Sequence, residues 1–305
     1  MLIFEVLAIA LSLVIFVHFA VNHQVRSKLK NHGWLVLLIC NFVQLILDLP
    51  MPMSYYYVGS VWPTSNIFCV WWTWCEYSLN SIGLFLMAWI SIERHFIIFY
   101  PHTILQVSWK KWIFHFIPII FCLIWAPLFY FVVVIISPEC TTVWDFSLLI
   151  CGLPCHYEIS ILIQFDFIFN IVVPITIIIL ANLLLVIRVT YQKMSRQQAI
   201  NWRRHRKMVS QLWIVSSLYL GFWLPSTITL LIQITILPSF MIDQLETMLF
   251  VIYFIPLLLP MICLSALPDL VTKLMNLIVS RRMNVIGVVP FRRDAGQQAI
   301  MAPAR

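Results

Sequence analysis

Apolar residues dominate seven stretches of the chain, at roughly 2–21, 33–56, 66–100, 111–137, 159–187, 208–236 and 246–267. Each holds about 20 or more predominantly apolar positions, the length a helix needs to cross a hydrocarbon core. Barrel strands alternate apolar and polar positions instead, so the pattern predicts membrane-spanning helices. The third stretch is long enough to cross at a steep tilt. The first has no preceding basic residue and no small-residue cleavage site after it. It reads as an uncleaved first helix rather than a secretory signal. No internal repeat, second domain or inverted-repeat symmetry interrupts the series.

Composition agrees. The 305 residues are 62% hydrophobic and 10% charged, whereas soluble domains are about half apolar and about a quarter charged. Water-soluble, collagen-like and disordered chains are excluded. The expected fold class is an all-α membrane protein, a seven-transmembrane helix bundle with a short amphipathic helix after the seventh span.

Charge gives the topology. The first connection holds Arg26, Lys28 and Lys30, and the third holds Arg94, Lys110 and Lys111. The fifth runs from Arg188 to Lys207 and carries seven basic residues, and the tail carries Lys273, Arg281, Arg282, Arg292, Arg293 and Arg305. Together these are all 19 Lys and Arg of the chain. The alternate connections hold Glu139, Asp145, Asp243 and Glu246. Cytosolic loops collect Lys and Arg, so the N-terminus is expected outside, the C-terminus in the cytosol, and the number of spans odd. The net charge of +7 then reflects topology and contact with anionic lipid, and nucleic acid is not an expected partner. Leu270 to Arg282 mixes apolar and basic residues, as a helix lying on the membrane does. A membrane domain over 1–280 and a short basic tail over 281–305 follow. The tail has no Ser, Thr or Tyr after Ser280, and the chain has no N-glycosylation sequon.

Cys69, Cys140, Cys151 and Cys155 fall on the outer side, where an oxidising compartment favours disulfides and three pairings are open. Cys40, Cys75, Cys122 and Cys263 fall within spans and read as small buried residues. No zinc or other metal pattern appears, no cofactor is implied, and no nucleophile–base set or phosphate loop suggests an enzyme.

Several landmarks then fall in order. Trp62 precedes Cys69 by seven positions, Cys69 precedes Arg94 of Glu93-Arg94-His95 by 25, and Arg94 precedes Pro101 by seven. The sixth span carries Phe222-Trp223-Leu224-Pro225, Asp48 lies in the second span, and Pro174 and Pro260 lie in the fifth and seventh. From Asp48 to about Met275 the chain resembles a rhodopsin-like (class A) G-protein-coupled receptor of a divergent branch. The departures are specific. The first span lacks the family's Asn, Phe121 falls where the fourth-span Trp is expected, and the seventh-span motif reads Leu259-Pro260-Met261-Ile262-Cys263. His205 replaces the acidic residue at the inner end of the sixth span.

The resemblance implies a receptor in the plasma membrane whose partners are an extracellular ligand, a heterotrimeric G protein and membrane lipid. Glu93, Arg94, Pro101, Trp223, Pro225 and Pro260 would carry activation, with Arg94 meeting the G protein. Without an acid at His205, weak restraint of the inactive state and basal signalling are expected. Asp48 would sit where the family keeps its sodium-site acid, with Gly83 and Leu259 in place of its usual partners. Glu76 stands seven residues beyond Cys69, similar to the acid of amine receptors, and intramembrane acids usually face a cavity. Trp72, Glu76, Asn80 and Gly83 share one helical stripe. Asp166 and Tyr253 match pocket-facing positions, and Trp72 with Trp223 would cage a cation. The expected ligand is cationic, with a form bearing two basic groups bridging Glu76 and Asp166. A protonated, hydrogen-bonded Glu76 is the structural alternative, and because Ser226 and Thr227 stand where amine receptors place aromatic residues, a large lipid or odorant-like ligand stays open as well. The resemblance also pairs Cys69 with Cys155 and Cys140 with Cys151, with Cys69–Cys151 as the alternative. A second function class, a seven-span channel or transporter with Glu76, Asp166 and Asp48 along a cation path, remains open at this point.

Overall fold

Lipid offers the backbone no hydrogen-bond partner, so each apolar stretch has to satisfy its own amides as a helix. A computed structural model describes residues 1–26, 31–99, 109, 112–136, 144–152, 154, 157, 159–195, 199–237 and 239–265. Seven of its helices are long and apolar enough to span a bilayer: α1 (Leu2–Val21), α2 (His32–Val58), α3 (Asn66–Ile97), α4 (Trp112–Ile136), α5 (Ile161–Tyr191), α6 (Val209–Thr235) and α7 (Gln244–Ser265). All seven expected spans are present. The expected amphipathic helix over Leu270–Arg282, the tail over 281–305, Pro101, Cys140, Cys155 and the side chain of His205 lie outside the described residues.

The helices bury one face each. In α1, Ala8, Ser12, Ile15 and Phe19 are buried at helical spacing, while Leu2, Val6, Leu13 and Val17 are exposed. Exposed apolar residues on such a helix suit contact with lipid tails. Helix α3 is the exception, with 67% of its most apolar window buried against 33–44% for the other six. It packs on α2, α4 and α5, while α1 packs on α7, and α6 lies against α5 and α7. Apolar burial drives little association between helices in lipid, so directed bonds and close approaches matter more. Trp74 Nε1 donates to the Pro127 carbonyl at 3.0 Å, and His95 Nε2 donates to the Ala181 carbonyl at 2.8 Å. Asn182 Nδ2 donates to Ser216 Oγ at 3.0 Å. Gly83 brings α3 against α6: a Cβ there would stand 3.3 Å from the Tyr219 hydroxyl. The absent side chain makes room for that tyrosine.

Prolines and wide turns shape the interior. The helical hydrogen bonding widens to π-type turns at Gln44–Asp48, Trp112–Phe116, Phe131–Ile136 and Phe167–Val172. Such turns rotate the residues that follow, and they recur at functional positions. The first ends just before Pro50 and the last just before Pro174. Proline has no N–H to give to the carbonyl four residues earlier. In α7 the carbonyl that Pro260 leaves unserved, that of Pro256, accepts instead from Asn41 Nδ2 of α2 at 3.0 Å. The proline therefore creates the acceptor that ties α7 to α2.

At the end of the bundle bearing Cys69, a loop folds over α2 and α3. The Val61 N–H donates to the Phe146 carbonyl at 2.8 Å, and Tyr55 Oη donates to the Ser147 carbonyl at 2.9 Å. The N–H and hydroxyl of Ser147 donate to Asp145 Oδ1 at 2.9 and 2.6 Å. Those bonds hold the Asp145 carboxyl below the usual carboxylate range. Cys69 forms its disulfide with Cys151, Cα to Cα 5.8 Å, which corrects the expected Cys69–Cys155 and Cys140–Cys151 pairings. The local backbone explains the choice. Ile150 and Cys151 both adopt positive φ, and the tight turn buries Cys151 beside Val61, Trp72 and Trp144, where it meets Cys69. Cys40, Cys75, Cys122 and Cys263 are free thiols; the last three are buried as expected, whereas Cys40 is half-buried.

Candidate functional site

Three polar clusters occupy the interior. The first joins α2, α3 and α7. Glu76 is 8% exposed and has donors on both carboxylate oxygens: Asn80 Nδ2 to Oε1 at 2.7 Å and Tyr253 Oη to Oε2 at 2.7 Å. Gln44 Nε2 reaches both Asn80 Oδ1 at 3.1 Å and Asp48 Oδ2 at 3.4 Å. Asp48 is wholly buried and lies within hydrogen-bonding reach of Glu76. Its Oδ1 finds no donor among the described residues. Two carboxyl groups thus face each other within a ring of amides and a phenol. The indole N–H of buried Trp72 points at the same group and lacks an acceptor within hydrogen-bond distance.

Of the residues expected to bind ligand, Trp72, Glu76, Asn80 and Tyr253 come together here. Asp48 joins them, although the resemblance places it at a sodium site deeper in the bundle. The wide turn at Gln44–Asp48 lies in its path, and a turn of that kind changes which face a residue presents. Asn41, almost two helical turns earlier, meets the α7 backbone at Pro256. Sequence reasoning missed Gln44. The available signal was its place one turn before Asp48, at the spacing that puts two side chains on one face. Trp223 is buried in α6, where Ser226 and Thr227 hydroxyls donate to its carbonyl at 3.0 and 2.7 Å.

Asp166 belongs to a second cluster, between α3, α4 and α5. Its Oδ1 accepts from Tyr130 Oη and Asn170 Nδ2, each at 2.6 Å. Asn170 Oδ1 accepts from Trp125 Nε1 at 3.0 Å, and Ser81 meets Tyr130 Oη at 3.3 Å. The ring of Tyr77 leans on Tyr130 with centroids 5.4 Å apart. Helices α3, α4 and α5 are thereby pinned together at mid-height.

The third cluster lies at the opposite end of α3. Glu93 is 4% exposed and Arg94 is 3% exposed. Glu93 Oε1 pairs with His115 Nδ1 of α4 at 2.5 Å. His115 Nε2 meets His32 Nδ1 at 3.2 Å, and His32 Nε2 donates to the Arg26 carbonyl at 2.8 Å. The Arg94 guanidinium lies 5.7 Å from the centroid of the Trp34 ring, within cation–π range. Sequence reasoning found Glu93 and Arg94 and missed both histidines. An ionisable residue inside a span, such as His115, is a functional candidate by default, and that was the overlooked signal.

Among the described residues no group of His, Cys, Asp or Glu is arranged to hold a metal ion. No curated protein matches the chain. Residues 12–264 match the family model described as 7 transmembrane receptor (rhodopsin family). Members of that family are non-enzymatic, multi-pass membrane receptors that couple an activating ligand to G-protein signalling. With the match spanning all seven helices from within α1 to the end of α7, the chain belongs to the rhodopsin family of seven-transmembrane receptors.

Proposed function

We propose that this receptor sits in the plasma membrane with its Cys69 end outside, and that a cationic extracellular ligand activates it by binding at the Glu76–Asp48 cluster. Residues 1–280 would form the receptor body, and 281–305 a basic cytosolic tail. The orientation is supported by the basic residues, which all fall in connections at the Arg94 end or in the tail. One observation carries the ligand class: Asp48 Oδ1 is buried without a donor and faces Glu76. A buried carboxylate lacking a donor is costly, and two that face each other invite one between them. An ammonium or guanidinium group supplies donors and charge together. Among the described residues no Lys or Arg lies at this cluster, so the cation would come from outside.

Asp48 replaces Asp166 as the second acid of the expected pair, because Tyr130 and Asn170 already satisfy Asp166 Oδ1. Tyr253 and Asn80 orient Glu76, Trp72 packs beside the disulfide, and Trp223 with Pro225 lies on α6. A ligand that binds the active arrangement better shifts the population toward it, opening the Arg94 end to the G protein.

The test is nucleotide exchange on purified heterotrimeric G proteins with a panel of monoamines, diamines and guanidines. Glu76→Gln and Asp48→Asn are each expected to lose tenfold or more in the potency of an active compound, about 1.4 kcal/mol. Unchanged potency in Glu76→Gln removes the counter-ion reading. Unchanged potency in Asp48→Asn alone makes Asp48 a protonated partner of Glu76 rather than a ligand contact.

A further inference from the structure

We infer that His115 is the fixed hydrogen-bond partner of Glu93 and, through it, positions the Arg94 end of α3 in the resting receptor. The inference rests on reading that end as the G-protein face. Donor and acceptor roles along the chain of rings fix the protons. The Arg26 carbonyl only accepts, so His32 Nε2 is the donor across their 2.8 Å contact. His32 Nδ1 and His115 Nε2 stand 3.2 Å apart, so one proton lies between the two rings. His115 Nδ1 faces a carboxylate oxygen at 2.5 Å and donates to it. The two rings therefore hold three protons on four nitrogens, and the one positive charge they share faces the Glu93 carboxylate through His115 Nδ1–H. Tautomers follow from partners in this way because each neutral ring has one donor and one acceptor.

The pair is 2% and 5% exposed at its side chains. Removing one partner of a buried pair strands the other charge, so the contact strongly prefers to stay closed. It also ties three elements. His32 begins α2, and Gly33 beside it lets α2 approach closely: a Cβ there would stand 3.1 Å from Ile90 Cγ1 and 3.3 Å from Glu93 Oε2. His115 lies in the wide first turn of α4. The charged and titratable groups described around the pair are Arg26 from the α1–α2 connection, His32 from α2 and Arg94 from α3. Arg94 rests on Trp34 of α2.

In this arrangement the acid of the Glu93-Arg94-His95 triplet is claimed by α4. The restraint that a sixth-span acid would give to Arg94 is unavailable with His205 in its place. The His32–His115–Glu93 chain supplies restraint from the opposite side of α3. It holds α3 to α2 and α4 rather than to α6, so it sets the resting position of Arg94 without bolting α6 shut. That replaces the expectation of a loosely restrained receptor with one whose restraint resides in a named residue.

The experiment uses the full-length receptor, purified and normalised for folded protein by size exclusion, and reads ligand-free nucleotide exchange on several heterotrimeric G proteins. His115→Phe removes both ring nitrogens and is expected to raise basal exchange about fivefold or more, the range of an ordinary coupling between two states. Glu93→Gln is expected to do the same. The His115→Phe/Glu93→Gln double variant should exceed neither single by much, since both break one contact. His115→Asn, whose amide nitrogen takes the place of Nδ1, should return exchange toward the wild-type rate. Additive effects in the double variant, or no rise in His115→Phe while Glu93→Gln rises, overturn the inference. So does failure of His115→Asn to rescue. If wild type and every variant leave all G proteins at the receptor-free rate, the reading of the Arg94 end as the G-protein face fails instead.

Discussion

Asn41→Leu tests whether a proline can be the cause of an interhelical bond. Pro260 withholds the N–H that the Pro256 carbonyl would receive in an unbroken helix, and Asn41 Nδ2 fills that place from α2 at 3.0 Å. Asn41 is 4% exposed, so no water replaces it readily. Leucine has a similar shape and no donor. Its introduction leaves a buried carbonyl unsatisfied, at a cost of about 1–3 kcal/mol. For a chain of 305 residues that corresponds to a fall of about 2–5 °C in the unfolding midpoint. Pro260→Ala changes the arithmetic, because an alanine N–H at that position can serve the same carbonyl within the helix. In that background Asn41→Leu should cost under about 1 kcal/mol, since its loss is already made good. The assay is thermal unfolding of the four purified receptors (wild type, both single variants and the double variant) in one detergent at one heating rate. Equal losses from Asn41→Leu in the wild-type and Pro260→Ala backgrounds would refute the argument, for the two changes would then act independently.

Three further outcomes follow from the same structure. Cys151→Ser should abolish the disulfide-linked peptide containing Cys69 in non-reducing peptide mapping, whereas Cys155→Ser should leave it intact. A bridge spanning 82 residues constrains the unfolded chain by about 4–5 kcal/mol in the chain-entropy account, so the first variant should also unfold earlier. Asp166→Leu removes the acceptor of Tyr130 and Asn170 and should cost about 1–3 kcal/mol in stability while leaving the potency of a monoamine agonist within about twofold, or 0.4 kcal/mol; a tenfold loss of potency would return Asp166 to the ligand site. Gly83→Val places a branched side chain against the Tyr219 hydroxyl and should destabilise by about 1–3 kcal/mol, with Tyr219→Phe relieving part of the loss in the same unfolding assay.

The spans are legible in the sequence because their cause is one-dimensional. A run of apolar side chains and the need to satisfy its backbone are properties of consecutive residues, and all seven helices fall where the runs lie. Glu76 with Asn80 is legible for the same reason, as both sit on one stripe of one undistorted helix. Asp48 is harder, because its place depends on the widened turn at Gln44–Asp48, which changes the facing of residues without any change in their spacing. The partner of Cys69 turns on two residues with positive φ in a loop, and counting from Pro174 carries no information about that turn. His115 and His32 stand 83 positions apart, and only the packing of α2 and α4 on α3 makes them one unit.

Helix α3 connects the pocket to the Arg94 end, and its partners indicate how. Glu76 and Glu93 are separated by 17 residues, or about 25 Å of helix at 1.5 Å per residue. Along its length the described bonds of α3 reach α2 through Gln44, α4 through Pro127 and His115, α5 through Ala181 and α7 through Tyr253. Its contact with α6 is of another kind, the approach of Tyr219 to a glycine. Directed bonds hold one geometry, whereas a steric contact resists only closer approach. The described contact of α6 with α3 thus lies on the helix that also carries Trp223 and Pro225. On the proposed function, a ligand cation at Asp48 and Glu76 would act on α2, α3 and α7 together, and α2 and α3 belong to the frame that His32, His115 and Glu93 hold at the other end. Coupling between the two ends then requires no displacement of α3 along its axis. It requires only that the frame, once rearranged at the pocket, no longer leaves α6 its resting place, and the Glu93–His115 contact sets how much energy that rearrangement has to overcome.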